Sequence, residues 1–279
     1  QGMMVILLLI LTGNLLRIRF SSNHLTKSLK FSFPMVLRLA IGTIHKSFDR
    51  IMLTNFTGLT AVGYYSIGEK FASVLKLIMD SIGRVWIPFF QNKAHENTEE
   101  AKKAIVNRYI EMSFIIMLAG FALICFSEEF IKIFTTREYY PAMYIAPLYI
   151  YYYIFGILGM ISIQQIQFSE KTFFILPASI VSVLCNIVFN ILLIPTYGAI
   201  GAVISLSISS LFSSIVHFYY GFKLYPLPLQ LKRFIAMFLC TLVFTIPIYP
   251  IMLSEINFIF KIIIKLFIIT LFIITGVKF

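Results

Sequence analysis

Charge is scarce in this chain. Only 13% of its 279 residues are Asp, Glu, Lys or Arg, while 59% are hydrophobic and the mean hydropathy is +0.90. Soluble domains run nearer a quarter charged and half apolar, so the residues left over cannot cover a water-facing surface. A soluble globule is excluded. Acid is scarcer still: Asp and Glu together number 12, and the only aspartates, Asp49 and Asp80, stand far apart in the chain. That spacing disfavours a sugar transferase that holds a metal between paired aspartates. Four histidines and three cysteines form no metal-ligand spacing, and Cys125, Cys185 and Cys240 all sit inside apolar runs as packing groups, implying neither disulfide nor metal. No G-x-x-x-x-G-K-[ST] loop occurs, which argues against ATP hydrolysis by this chain. No cofactor is expected.

Long apolar runs are abundant instead. One helical crossing of the hydrocarbon core takes about 20 apolar residues. Run length and loop punctuation place nine helical segments at 1–16, 32–57, 60–90, 104–126, 141–168, 173–194, 199–220, 233–252 and 257–277. The fold class is an all-α membrane protein, a multi-pass helical bundle, because an open sheet edge cannot be satisfied in lipid. The run Met3 to Leu16 is short for a crossing and lacks the basic leader and small-residue cleavage site of a signal peptide. It is expected to be the tail of a helix that starts upstream.

The net charge of +11 forms no single patch, and nucleic acid is not an expected partner. Thirteen of the Lys and Arg residues fall in alternate loops and at the C-terminus, among them Lys93, Lys102, Lys103, Lys171, Lys223, Lys232 and Arg233. The opposite loops hold Lys132 and Arg137, with Arg50 and Lys261 at helix ends. This asymmetry makes the first set, and the C-terminus, cytoplasmic. The opposite loop 127–140 has the pattern of a short interfacial helix. Tyr139, Tyr140, Tyr144 and Tyr149 follow it, as an aromatic belt or a sugar-stacking platform.

Two segments break the apolar rule. In 32–57, Arg38, Gly42, His45 and Asp49 share one helical face, with Lys46 and Arg50 beside it; in 60–90, Glu69, Ser73, Lys76, Asp80 and Arg84 form one polar stripe. A charged side chain at bilayer depth costs at least ~2.5 kcal/mol, so these groups line a wet cavity or pair inside the bundle. Asp80 is expected to pair with Arg84, and Glu69 with Lys46 or His45. Arg108 and Glu111 read as interfacial, His217 as packing, and Gln164, Gln165 and Gln167 as sugar contacts or a membrane-edge marker. Bases still exceed acids on the two helices, which points to an anionic substrate. The candidate substrate-binding residues are Arg38, Lys46, Arg50, Lys70 and Lys76; His45, Asp49 and Glu69 are candidates for ion coupling or ion pairing.

Three stretches carry a family resemblance: DRIMLTNFTGLTAVGYYSIGEKF (Asp49 to Phe71), IKIFTTREYYPA (Ile131 to Ala142) and NIVFNILLIPTYGAIGAVISLSIS (Asn186 to Ser209). Together they resemble the C-terminal part of bacterial polysaccharide (O-antigen or capsule repeat-unit) flippases of the multidrug/oligosaccharidyl-lipid/polysaccharide exporter superfamily. The resemblance implies a MATE-like second six-helix lobe plus two additional helices. Residues 1–16 would end the last helix of a first lobe, 17–31 would form a cytoplasmic inter-lobe linker, 32–220 the second lobe, and 221–279 the two additional helices. It implies a transporter, not an enzyme, that moves an undecaprenyl-pyrophosphate-linked oligosaccharide across the bacterial cytoplasmic membrane. Its partners would be the lipid-linked oligosaccharide, membrane lipid and other polysaccharide-assembly proteins. Rival readings are a multidrug cation antiporter of the same fold, which predicts an acid-rich cavity, and a membrane enzyme such as a polymerase, which predicts a larger extracytoplasmic loop.

Overall fold

The computed structural model describes residues 21–276 apart from Glu255, and nothing of the Lys46 side chain. The expected helix tail at 1–16 and the start of the linker lie outside the described residues. The helices are α1 (Ser22–Thr57), α2 (Leu59–Glu96), α3 (Glu99–Cys125), the short α4 (Ser127–Phe134), α5 (Ala142–Phe168), α6 (Leu176–Leu224), α7 (Leu231–Thr245), the short α8 (Ile248–Leu253) and α9 (Phe258–Gly276). Residues 22–31, read from sequence as linker, are the first turns of α1. Pro34 sits inside that helix without ending it.

Special backbone sets the two sharpest turns. A single residue, Gly58, closes α1 and opens α2 at φ 86°, its N–H donating to the carbonyls of Leu53 and Thr54. A side chain there would meet the left-handed penalty that glycine escapes. The 49 residues of α6 would run about 74 Å if straight, more than twice the hydrocarbon core. The helix therefore folds back at Gly198, φ 54° and ψ −130°, three residues after Pro195, making the two arms expected at 173–194 and 199–220. At the opposite end, Asn97 in the left-handed region stops α2, and the Thr98 hydroxyl accepts from the Ala101 N–H to start α3.

Helix α5 is the axis of the bundle, buried along most of its length against α2, α3 and the second arm of α6. Small residues let α5 and α6 approach closely: Ser207 and Ser210 donate to the carbonyls of Leu148 and Tyr152 at 3.1 and 2.9 Å. Such serines both shorten the interhelical distance and satisfy their hydroxyls in a medium without water. Helix α7 packs on α3, and α9 on α3 and α7.

Among the described residues, five helical stretches are long and apolar enough to cross a membrane: 99–125, 142–168, 172–224, 231–253 and 258–276. The doubled α6 makes two crossings of the third. Helices α1 and α2 have the length, at 36 and 38 residues, but carry the charges that set them apart. The ends separate by charge as well. Phe90, Phe168 and Tyr225 meet at one end of the bundle, where Lys93, Lys102, Lys171 and Lys223 cluster in sequence; α4 lies at the other.

Candidate functional site

Helices α1, α2, α5 and α6 surround a cavity of about 820 Å³. Its charged lining is Arg38 and Arg50 from α1 with Lys76 and Asp80 from α2, and its neutral polar lining includes His45, Ser179, Ser182, Ser213 and His217. A smaller pocket of about 180 Å³ shares Arg38, Tyr152, Ser182, Ser213 and His217 with it and reaches between α5 and the second arm of α6. The amphipathic pattern of α1 and α2 makes this cavity: their apolar faces cover the bundle and the polar stripe is left for water.

Pairing inside the cavity is uneven. Arg50 Nη2 holds Glu69 Oε2 at 2.8 Å. Lys76 Nζ holds Asp80 Oδ2 at 2.6 Å, so Asp80 pairs one turn back with Lys76 instead of with Arg84 as the sequence suggested. Asp80 has a base one turn away on either side, and Lys76 lines the cavity beside it. Arg38 is half-buried and, among the described residues, has no carboxylate within ion-pair distance. The expected Glu69–Lys46 pair involves a side chain outside the described residues. Lys70 falls beside the stripe and lines a different groove, toward α4. Arg108 pairs with Glu111 at 2.9 Å, the simple interfacial pair expected.

Asp49 points the other way from Arg50, into the bundle. It is fully buried, accepting from Asn190 Nδ2 at 2.7 Å and from the Tyr65 hydroxyl at 3.1 Å. Asn190 Nδ2 also donates to Asn186 Oδ1 at 2.9 Å. Three helices thus meet on one carboxylate. The Tyr65 ring contacts Tyr149 edge-on at 5.5 Å, and Tyr149 contacts Tyr152 at 5.9 Å, so an aromatic run links this hub to the cavity wall. Tyr149 is therefore neither an interfacial belt residue nor an open stacking platform.

Sequence reasoning missed Asn186 and Asn190 as partners of Asp49, although their i,i+4 spacing inside an apolar run was the available signal. It also read His217 as packing only; His217 is buried but lines both pockets. Gln165, buried, donates to the Tyr225 carbonyl at 2.6 Å and ties α5 to the end of α6, a structural role.

A second charge cluster joins α4 to α9. Glu128 Oε1 accepts from Lys132 at 2.7 Å and from Lys261 at 3.1 Å, and Glu129 Oε1 accepts from the fully buried Lys265 at 2.6 Å. Burial pushes the Glu128 carboxyl up, but the hydrogen bonds from Lys132 and Lys261 and the charge of Lys265 outweigh it and hold it below the ordinary carboxylate range.

The family described as polysaccharide biosynthesis protein matches residues 1–144. The capsular polysaccharide biosynthesis protein CapF of Staphylococcus aureus is 22% identical over 193 residues, 69% of this chain and 48% of that protein. The probable low-salt glycan biosynthesis flippase Agl15 of Haloferax volcanii is 20% identical over 64% of this chain and 38% of its own length. The chain thus spans about half or less of the curated relatives it matches. Among solved structures, the lipid II flippase MurJ in an inward closed conformation shares the fold at a TM-score of 0.66 and 20% identity, over 92% of this chain and 55% of that one.

Proposed function

The chain belongs to the polysaccharide biosynthesis protein family, and from that premise we propose that it forms part of a flippase. The cargo would be an oligosaccharide linked to undecaprenyl pyrophosphate, carried across the bacterial cytoplasmic membrane for surface polysaccharide assembly. Residues 32–220 would be its second six-helix lobe and 221–279 its two additional helices, with the C-terminus cytoplasmic.

One observation carries this reading: Arg38 is a half-buried cation with no carboxylate partner among the described residues, facing a polar cavity of about 820 Å³. An uncompensated cation at bilayer depth is costly, and an anionic head group in the cavity would compensate it through charge-assisted hydrogen bonds. Arg38 and Arg50 lie on one helix about 18 Å apart along its axis, and Lys76 faces them from α2. A pyrophosphate can thus pass between cations while the sugars meet serine hydroxyls and the prenyl tail stays in lipid. An antiporter of organic cations would need acid to spare; Glu69 and Asp80 are already engaged. Lys46 belongs to the same path by its place on α1.

Coupling is assigned to the Asp49 hub. A buried carboxylate surrounded by amide and phenol groups can exchange a proton or a monovalent cation for these donors, and Tyr65, Tyr149 and Tyr152 connect its state to the cavity wall. Lobe rocking about such a site gives alternating access.

The test is Arg38→Ala in the whole protein, expressed in cells that depend on it for surface polysaccharide. The expected outcome is at least a tenfold drop in surface polysaccharide at unchanged membrane abundance, with Arg38→Lys retaining part of the activity. Normal polysaccharide in Arg38→Ala cells refutes the cationic path.

A further inference from the structure

On the side of α2 turned away from the cavity, a groove of about 630 Å³ runs between α2 and α4. Its floor is Ile67, Phe71, Phe130 and Phe134, and Lys70 is the charged side chain in its lining. The aromatic floor is continuous: Phe71 meets Phe130 with ring centroids 5.7 Å apart, and Phe130 stacks on Phe134 at 5.6 Å.

Depth follows from the same contacts. Helix α4 begins two residues after the apolar crossing of α3 ends at Cys125, so α4 marks the hydrocarbon boundary. The Phe71–Phe130 contact sets Lys70 at that boundary, where lipid phosphates lie. Of the nearby carboxylates, Glu69 is held by Arg50, and Glu128 and Glu129 by Lys132, Lys261 and Lys265; Glu138, between Thr136 and Tyr139, is exposed and outside the lining. Among the described residues, none lies within ion-pair distance of Lys70.

We propose that this groove is a binding site for one anionic phospholipid of the leaflet on the α4 side. The phosphate sits on the Lys70 ammonium, and an acyl chain lies over Ile67, Phe71, Phe130 and Phe134. The volume is within the ~300–1,000 Å³ usual for small-molecule sites. Charge complementarity selects the occupant: the lining offers a cation and no acid, so an added negative head-group charge is attracted. A basic side chain at a lipid surface is worth ~1 kcal/mol toward anionic lipid, about a fivefold preference. The groove shares no lining residue with the cavity, so the failure of this proposal would leave the proposed substrate path standing.

The test uses the purified chain in phosphatidylcholine vesicles, with tryptophan at Phe134, which is 75% exposed, as reporter. Trp86, buried in the core, supplies a constant background. Brominated phosphatidylglycerol should quench the Phe134→Trp reporter at about one fifth of the mole fraction that brominated phosphatidylcholine requires. A second reporter, Leu253→Trp, lies at the same end of the bundle and should show no such preference. Adding Lys70→Gln to the Phe134 reporter should abolish the preference, and Lys70→Arg should keep it. Lys70 is exposed, so both variants should fold. Equal quenching by the two lipids, a preference that survives Lys70→Gln, or the same preference at Leu253 overturns the proposal; the last would mean generic surface attraction.

Discussion

Arg50 and Asp49 are adjacent in the chain yet do opposite things, because successive helical positions turn by about 100°. Asp49 enters the bundle and is fully buried, whereas the Arg50 side chain stays half exposed in the cavity against Glu69. The Arg50–Glu69 pair can be separated into structural and substrate roles. Arg50→Ala leaves Glu69, only 16% exposed, without its guanidinium, and removing one partner of a sequestered pair costs more than removing both. The purified Arg50→Ala chain should therefore melt lower than wild type, and Arg50→Ala with Glu69→Ala should recover most of the loss. In the whole protein, surface polysaccharide should stay low in the double variant if Arg50 also meets the substrate. Recovery of both melting temperature and export would leave Arg50 a structural ion pair. At this scale the polar stripes were readable from residue type and spacing alone. The partners were not: Asp80 chose Lys76 over Arg84, and Asp49 chose Asn190 across 141 residues, a choice set by helix packing that periodicity on one helix does not contain.

Among the elements, α4 and α9 show how far an apolar count can mislead. The segment 257–277 reads as one more apolar crossing with Lys261 at its end, yet Lys261 and Lys265, one turn apart, are both buried against Glu128 and Glu129. The signal was present: two lysines at i,i+4 in an apolar helix need acid at the same depth, and the loop before residue 140 holds two adjacent glutamates. Lys265→Ala strands Glu129, while Glu128 keeps Lys132 and Lys261, and should cost about 3–5 kcal/mol, read as a lower melting temperature and faster hydrogen exchange in 258–276. The same clasp predicts a pH dependence. The Glu128 carboxyl is held below its ordinary value, so its contribution to stability is complete above the unfolded-state value of about 4.3 and is lost as pH falls through the lower, folded value. Exchange protection of α9 should hold at pH 6 and fall off below about pH 4, and Glu128→Gln should remove that dependence. An α9 equally protected at both pH values would show that the cluster does not hold it in place.

Over the whole molecule, the uneven placing of lysine and arginine was the most legible feature of the loops, and in the fold Lys93, Lys102, Lys171 and Lys223 gather at the end of the bundle opposite α4. Run length placed helical segments where the described residues are helical, five stretches of them being long and apolar enough to cross, and the turn at Gly198 followed from Pro195 and the glycines around it. What run length missed was that α1 begins at Ser22; that α1 and α2 wall a cavity was readable from their charges, but not which of those charges face water and which pair, since charge at depth shows only that water or a partner is near. Orientation itself remains a prediction with a direct test. Thr136 and Glu138 lie exposed on the α4 end, and Lys103 and Lys232 are exposed at the opposite end. Glu129 would be a poor probe site, being buried on Lys265. With the native cysteines replaced, a membrane-impermeant maleimide added to intact cells should label Thr136→Cys and leave Lys103→Cys and Lys232→Cys unlabelled until the membrane is opened. The positive-inside rule counts basic residues near the ends of crossings, and the cluster at Lys93, Lys102, Lys103, Lys171, Lys223 and Lys232 outweighs Lys132 and Arg137. Labelling of Lys103→Cys in intact cells would invert the molecule. The cavity's Arg38 end, which lies near the basic ends of α2 and α5, would then face the outside, and an anionic head group could no longer enter there from the cytoplasm.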